Sequence, residues 1–280
     1  MAQRARPLEA KPKDCEAKLS TEPSSQPHVI ISPHFDDGVF SCGGTASQLT
    51  AAGHSVLVIT MMGGLIQGEL PDTPILADLH QRWGAGEDPL RQRQIEDENA
   101  SKILGVDFMH VPLPDCVYRL AGDEPLYPSE ESLFGDVHPA DYAPRLLKGI
   151  QIPELETAAK VYLPLGVGHH VDHQIARDWG LTQMRDAPDK SVLRFYVEFP
   201  YSKADRSTEL ALSAIDLPLE PADVILSDVE LAAKIKAIAC YDSQISTFWQ
   251  DLGAMDADVR RAFTDAKSGN FVERFWKIAT

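Results

Sequence analysis

The chain has 280 residues, 44% hydrophobic and 24% charged, with 26 Lys and Arg against 42 Asp and Glu and a formal net charge of −16. That apolar content supports a sizeable core and is too high for a disordered polymer. The acidic balance repels nucleic acid phosphates and anionic lipid, which excludes broad electrostatic binding of either, and no run of about 18 apolar residues is present to span a membrane.

Residues 1–27 hold five basic residues (Arg4, Arg6, Lys11, Lys13, Lys18) and four acidic ones (Glu9, Asp14, Glu16, Glu22), so residues 28–280 carry −17. This stretch lacks the apolar centre of a secretory signal. Its Pro and Ser content predicts a flexible tail ahead of a single domain over 28–280. HVIIS at 28–32 predicts a first buried strand, stopped by Pro33 and the polar loop HFDDG. VFSCGGTASQLTAAG predicts a helix ending at Gly53, and SVLVITMM at 55–62 a second strand. Strand, helix, strand is a βαβ unit, which belongs to a parallel sheet covered by helices.

Residues 65–88 read as an irregular excursion with one short helix around His80–Trp83. PLRQRQIEDENASKILG at 89–105 predicts a helix opened by Pro89 and closed by Gly105. DFMHVPL at 107–113 predicts a third strand, and residues 120–150 are loop-rich. AKVYLPLG at 159–166 predicts a fourth strand, GHHVDHQIARDWGLTQM a loop running into a helix, and VLRFYVEFPY at 192–201 a fifth strand. A helix follows at about 227–241, then a further helical stretch towards Trp276. With no repeat and no linker, the pattern gives one α/β fold, a Rossmann-like three-layer sandwich with a mostly parallel sheet. Cys15, Cys42, Cys116 and Cys240 are widely spread, which favours neither a disulfide framework nor a Cys-based zinc site. A reducing, cytoplasmic setting is the simplest reading.

Ligands of open α/β sheets bind at the carboxyl ends of the strands. Two such ends here are crowded with titratable groups: His34, Asp36 and Asp37 after the first strand, and His169, His170, Asp172 and His173 after the fourth. One imidazole and one carboxylate from the first loop, with one imidazole from the later helix start, make a two-His one-carboxylate set that leaves positions open for water and substrate. In a turn, His34 and Asp37 can converge on one ion while Asp36 faces water. The bland alternative is an Asx turn capping the next helix, with Asp37 as the cap, and an exposed histidine cluster at a helix start. Gly43–Gly44 does not complete a dinucleotide or P-loop signature, so a nucleotide-dependent Rossmann enzyme ranks low.

PHFDDGVFSCGG at 33–44 together with GHHVDH at 168–173 resembles the zinc-dependent de-N-acetylases of the PIG-L/LmbE family. RQIEDENASKILG at 93–105, LPDCVYR at 113–119, EFPY at 198–201 and YDSQ at 241–244 extend the resemblance over most of 28–280. It implies an LmbE-like fold and a Zn²⁺ ion, or another divalent metal, held by His34, Asp37 and His173. It makes Asp36 the general base, His170 an acid or oxyanion stabiliser, and Asp172 the group that orients His170 and keeps it charged. Arg93 and Asp115 become substrate-binding residues. Two positions depart from the family pattern: Phe35 replaces a Pro, and Gly38 replaces an acid that would be a partner behind the ligands. Glu198, inside an aromatic strand, reads as a polar group at the pocket rim or an outward strand residue, the second being preferred.

These readings lead to a metal-dependent amidohydrolase that removes an N-acetyl or other small N-acyl group from an amino-sugar-containing small molecule or glycoconjugate. Nucleic acid and membrane partners are not expected, and a homo-oligomer stays open. The rival is a non-catalytic metal- or sugar-binding module, motivated by Gly38.

Overall fold

The computed structural model describes residues 3–4, 26–66, 68, 70–84, 88–203 and 206–279. The expected tail over 1–27 lies outside the described residues except for Gln3, Arg4, Gln26 and Pro27. In chain order the strands are β1 (Gln3–Arg4), β2 (His28–Ser32), β3 (Val56–Thr60), β4 (Asp107–His110), β5 (Leu120–Ala121), β6 (Glu124–Pro125), β7 (Lys160–Pro164), β8 (Leu193–Tyr196), β9 (Leu219–Pro221), β10 (Val224–Leu226), β11 (Phe271–Glu273) and β12 (Phe275–Ile278). The helices are α1 (Asp37–Ala51), α2 (Pro74–Trp83), α3 (Pro89–Leu104), α4 (Glu130–Leu133), α5 (Ala143–Leu147), α6 (Val171–Gln183), α7 (Ser207–Ser213), α8 (Asp228–Ile238), α9 (Asp242–Phe248) and α10 (Leu252–Phe263).

The central sheet has eight strands in the order β1-β4-β3-β2-β7-β8-β12-β9. Its middle is parallel: β2 pairs with β3 and β7, β3 with β4, and β7 with β8. Both edges are antiparallel, through β1 on β4 and through β12 on β8 and β9. Alternation along each strand sends residues to opposite faces. Val29, Ile31, Ile59, Val161, Leu163 and Phe195 join one core with Ile175 and Trp179 of α6. Ile30, Val58, Tyr162, Tyr196 and Phe275 join a second core with α1, α3 and α8. Helices therefore cover both faces of a mostly parallel sheet, as expected. No helix among the described residues is long and apolar enough to cross a membrane.

A third apolar cluster, including Leu76, Trp83, Tyr118, Tyr127 and Leu133, sits in the segments read as excursions. The first excursion holds a full ten-residue helix, α2, where only a short piece around 80–83 was expected. Pro74 opens it, and the Thr73 side chain accepts from the Leu76 N–H at 3.2 Å.

The C-terminal reading needs correction. The expected helical stretch towards Trp276 ends at Phe263, and Phe271, Phe275 and Trp276 lie on strands. A turn built on Asp265, whose carboxylate accepts from the Lys267 and Ser268 N–H groups, ends the helical run. Beyond it, Phe275 and Trp276 extend the sheet opposite Tyr196 and Phe195.

Gly43 and Gly44 serve packing. A Cβ on Gly44 would stand 2.3 Å from Leu226 Cδ1 and 3.0 Å from Glu273 Oε1. A Cβ on Gly43 would meet Lys234 Cγ at 3.2 Å, so the bare pair lets α8 as well as β10 and β11 approach the α1 backbone.

Candidate metal centre and active site

The carboxyl ends of β2 and β7 are neighbours in the sheet, so the loop after β2 and the start of α6 meet. Asp37 closes the first loop: its Oδ2 accepts from the His34 N–H at 2.9 Å and lies 3.0 Å from His34 Nδ1. The same oxygen lies 3.2 Å from His173 Nε2. One carboxylate oxygen is thus shared by two imidazoles that are 139 positions apart in sequence, His34 and His173. Asp37 begins α1, yet the residue before it, Asp36, makes no side-chain cap. The Asp36 carboxylate is therefore not spent on capping the helix.

His173 Nε2 is buried and has no hydrogen-bond partner despite its closeness to Asp37. Its other nitrogen, Nδ1, lies 3.2 Å from Glu198 Oε1. A buried nitrogen facing a carboxylate without hydrogen-bond geometry is what a cation between them would satisfy. The electrostatics agree. Burial alone would lower the His173 pKa, but Asp37 and Glu198 override it and push it up to about 9. Burial also opposes charge on His34, yet Asp115, Asp172 and Asp37 hold its pKa well above normal. Asp37 itself is held well below the usual range, because His173 and His34 outweigh its burial. These imidazoles and carboxylates demand positive charge in a buried place, and this donor set fits a divalent metal.

The donor atoms of His34, His170 and His173 also come within 4.8 Å of one another. Hydrogen bonding separates their roles. His170 precedes α6 and its Nδ1 accepts from the Asp172 N–H at 3.2 Å. A neutral ring that accepts at Nδ1 carries its proton on Nε2. Burial, then the neighbouring His34 and His173, hold its pKa well below normal. An Nε2–H donor at this place suits hydrogen bonding to substrate better than ligation.

The expected pairing of the Asp172 carboxylate with His170 does not form. Asp172 Oδ1 takes a short bond from Arg119 Nη2, and Oδ2 meets His34 Nε2 at 3.1 Å and the Cys116 N–H at 2.9 Å. The hydrogen bond between the two residues runs instead from the Asp172 N–H to His170 Nδ1.

Arg93 reaches the site from α3. Its Nη2 donates to Asp36 Oδ1 at 3.0 Å, and its guanidinium stacks 4.6 Å from the Trp83 ring and 5.7 Å from Phe35. Burial and the Asp37 charge raise the Asp36 pKa, while Arg93 opposes them. Asp36 is thereby a basic carboxylate fixed in place. Asp115 both holds a turn and has a place at the site: Oδ1 accepts from the Val117 N–H at 3.2 Å, and Oδ2 lies 3.6 Å from His34 Nε2. His34, Asp36, Asp37, Arg93, Asp115 and His170 line one cavity of about 330 Å³.

Both departures from the family pattern have a structural reason. A Cβ on Gly38 would lie 3.1 Å from Ser32 Cβ, and Ser32 Oγ accepts from the Gly38 N–H at 2.8 Å. A side chain at 38 would crowd Ser32 and Ile30. Glu198 stands behind the ligands instead. It is fully buried, against the outward reading, and accepts from the Gly166 and Val167 N–H groups at 2.7 and 3.1 Å. Phe35 packs under Arg93 and edge-on to His110 at 5.1 Å, and its carbonyl accepts from Tyr241 OH at 3.0 Å. Arg119 and Glu198 are the residues whose roles the sequence reading missed. The signal for both was a charged group inside an apolar run, CVYRL and FYVEF.

Glu198→Gln is expected to weaken metal binding about 10- to 100-fold while the protein stays folded. The amide oxygen can still accept an N–H, but it cannot fix His173 as a carboxylate does. Competition with a chelating dye measures this.

A mostly parallel sheet with a buried His/Asp centre at its carboxyl edge defines the class, and the comparisons agree. The pattern of the PIG-L family, GlcNAc-PI de-N-acetylase, matches residues 29–183, and the chain belongs to that family. The 2′-N-acetylparomamine deacetylase of Niallia circulans is 31% identical over 191 residues, 62% of this chain and 66%, just under two thirds, of that protein. Teicoplanin deacetylase Orf2, solved in a zinc-inhibited form, superposes with a TM-score of 0.73 at 24% identity, covering 90% of this chain and 98% of its own. The A40926 pseudoaglycone deacetylase Dbv21 superposes at 0.65 with 24% identity, covering 91% and 97%. The two solved structures share the fold.

Proposed function

We propose that this chain hydrolyses the N-acetyl, or another small N-acyl, group of an amino-sugar-containing small molecule or glycoconjugate, with a divalent metal, zinc first, held by His34, Asp37 and His173. The observation that carries the reading is the shared Asp37 Oδ2 between two imidazoles, one with a buried, unpartnered Nε2. Family membership and the relative named for 2′-N-acetylparomamine support an N-acetylated amino sugar as substrate.

When bound, the metal supplies Lewis acidity, lowering the pKa of water and polarising the amide carbonyl. Asp36 accepts a proton from the attacking water and passes it to the amine nitrogen as the C–N bond breaks. Burial raises its basicity, and Arg93 keeps it ionised and aimed. The His170 Nε2–H donates to the oxygen on which negative charge develops. Arg119 and Cys116 hold Asp172, and the Asp172 main chain sets the His170 ring. Asp115 and the cavity face of Arg93 are placed to meet sugar hydroxyls.

Purified protein is expected to carry about one metal ion per chain. Chelation should abolish amine release from N-acetyl amino sugars such as 2′-N-acetylparomamine, and added zinc should restore it. Metal-loaded protein that releases no amine across a panel of N-acyl amino sugars refutes the reading.

A further inference from the structure

The cavity over the metal centre changes chemistry with depth. Its floor is polar and buried: His34, Asp36, Asp37, Arg93, Asp115 and His170 are each less than a tenth exposed. Its mouth is largely apolar, with Tyr201 and Thr247 also among the half-buried lining. Ile75 and Leu79 of α2, Phe134 at the end of α4 and Phe248 of α9 line it and are half-buried. Arg82 and Glu130 stand exposed at the rim. The apolar wall is backed by a core of its own, since Ile75, Leu79 and Phe134 pack against the cluster of Leu76, Trp83, Tyr118 and Leu133. Phe134 also approaches the rings of His170 at 5.2 Å and Tyr201 at 5.9 Å. Half-buried apolar side chains around a pocket mouth gain from any apolar group that covers them.

From this gradient we infer that the substrate is an N-acyl amino sugar carrying an apolar aglycone, aromatic or alkyl, which seats against Ile75, Leu79, Phe134 and Phe248. The inference rests on the deacylase reading of the same site. The amide must reach the floor groups, and hydroxyls of the sugar ring need the polar partners near them. What remains at the apolar mouth is the group attached to the ring. An unadorned monosaccharide would leave this wall in water. The mouth, formed by the two long segments between the strands and by α9, therefore selects the aglycone, while the floor selects the amide.

The test compares metal-loaded protein on methyl and phenyl N-acetylglucosaminides, which present the same amide. The phenyl glycoside is expected to have at least about tenfold higher kcat/KM, mostly through KM, as burial of two or more methylene equivalents gives. Ile75→Ala and Phe248→Ala should each pull the phenyl-to-methyl ratio towards one. Two variants are needed because Phe248 also packs on Phe40 and Trp249. Equal kcat/KM for the two glycosides, or equal losses on both in both variants, overturns the inference. An N-hexanoyl methyl glycoside that gains instead places the apolar group on the acyl side and also overturns it. If no glycoside is turned over, the deacylase reading falls, and calorimetric titration still decides the mouth: tighter binding of the phenyl than the methyl glycoside, lost in Ile75→Ala, supports it, and equal binding refutes it.

Discussion

Asp36→Asn is expected to lower kcat by a factor on the order of 10² to 10⁴ while the protein keeps its metal. Asp36 lines the cavity, and its carboxylate is held by Arg93 rather than by either of the paired imidazoles. Asn keeps the shape and can still accept from Arg93, so little besides basicity is lost. His173→Ala should behave differently and lose metal and turnover together. It removes the buried Nε2 beside Asp37 and leaves Glu198 without its imidazole. Metal analysis of the two variants beside single-turnover kinetics separates the roles. An Asp36→Asn protein without metal would mean that Asp36, not Asp37, is the ligand.

Why the centre was legible follows from where its residues stand. His34, Asp36 and Asp37 come directly after a buried strand, and His170 and His173 stand at the start of the helix that follows its sheet neighbour. Such positions converge whatever the loops do, because parallel strands put their carboxyl ends on one edge. The parallel strands themselves showed as β-branched runs, since both faces are buried. Partners brought from elsewhere left no local mark. Arg119 meets Asp172 across 53 positions, so spacing alone suggested His170 as the partner of Asp172. Glu198 follows β8 by two residues, where the chain has left the sheet and alternation no longer predicts which way a side chain points. Its carboxylate turns back to Gly166 and Val167. Arg93, Glu96 and Asp97 share one face of α3, and each ties to a different element: Asp36 in the loop after β2, Ser243 of α9, and Tyr241 with His110. The helix was visible in the sequence, but not the three targets. The antiparallel strand β12 was hidden because its aromatic residues at 275 and 276 suit a helix or a strand equally, and the choice is made by pairing with β8 and β9.

Lys234→Met should destabilise the protein by about 3–5 kcal/mol, because it strands a buried carboxylate. Lys234 of α8 and Glu273 of β11 are both fully buried, with Nζ 2.6 Å from Oε1. Lys234 also donates to the Ser41 carbonyl at 3.1 Å and sits 3.6 Å from the centre of the Phe263 ring. Glu273 accepts from the Gly44 and Thr45 N–H groups of α1 at 2.8 and 2.7 Å. The pair therefore clamps the helix whose first residue is Asp37, and the bare glycines at 43 and 44 are what let it approach. Met fills the volume of the lysine stem, so a cavity adds little to the cost. What remains is a carboxylate with two amides and no cation. On heating, a loss on the order of 10 °C in Tm is expected for a protein of this size. The double variant Lys234→Met, Glu273→Gln removes the orphan charge and keeps an oxygen for the α1 amides, so it should recover more than half of the loss. A double variant as unstable as Lys234→Met would show that the cost comes from packing under Phe263 and not from the stranded charge.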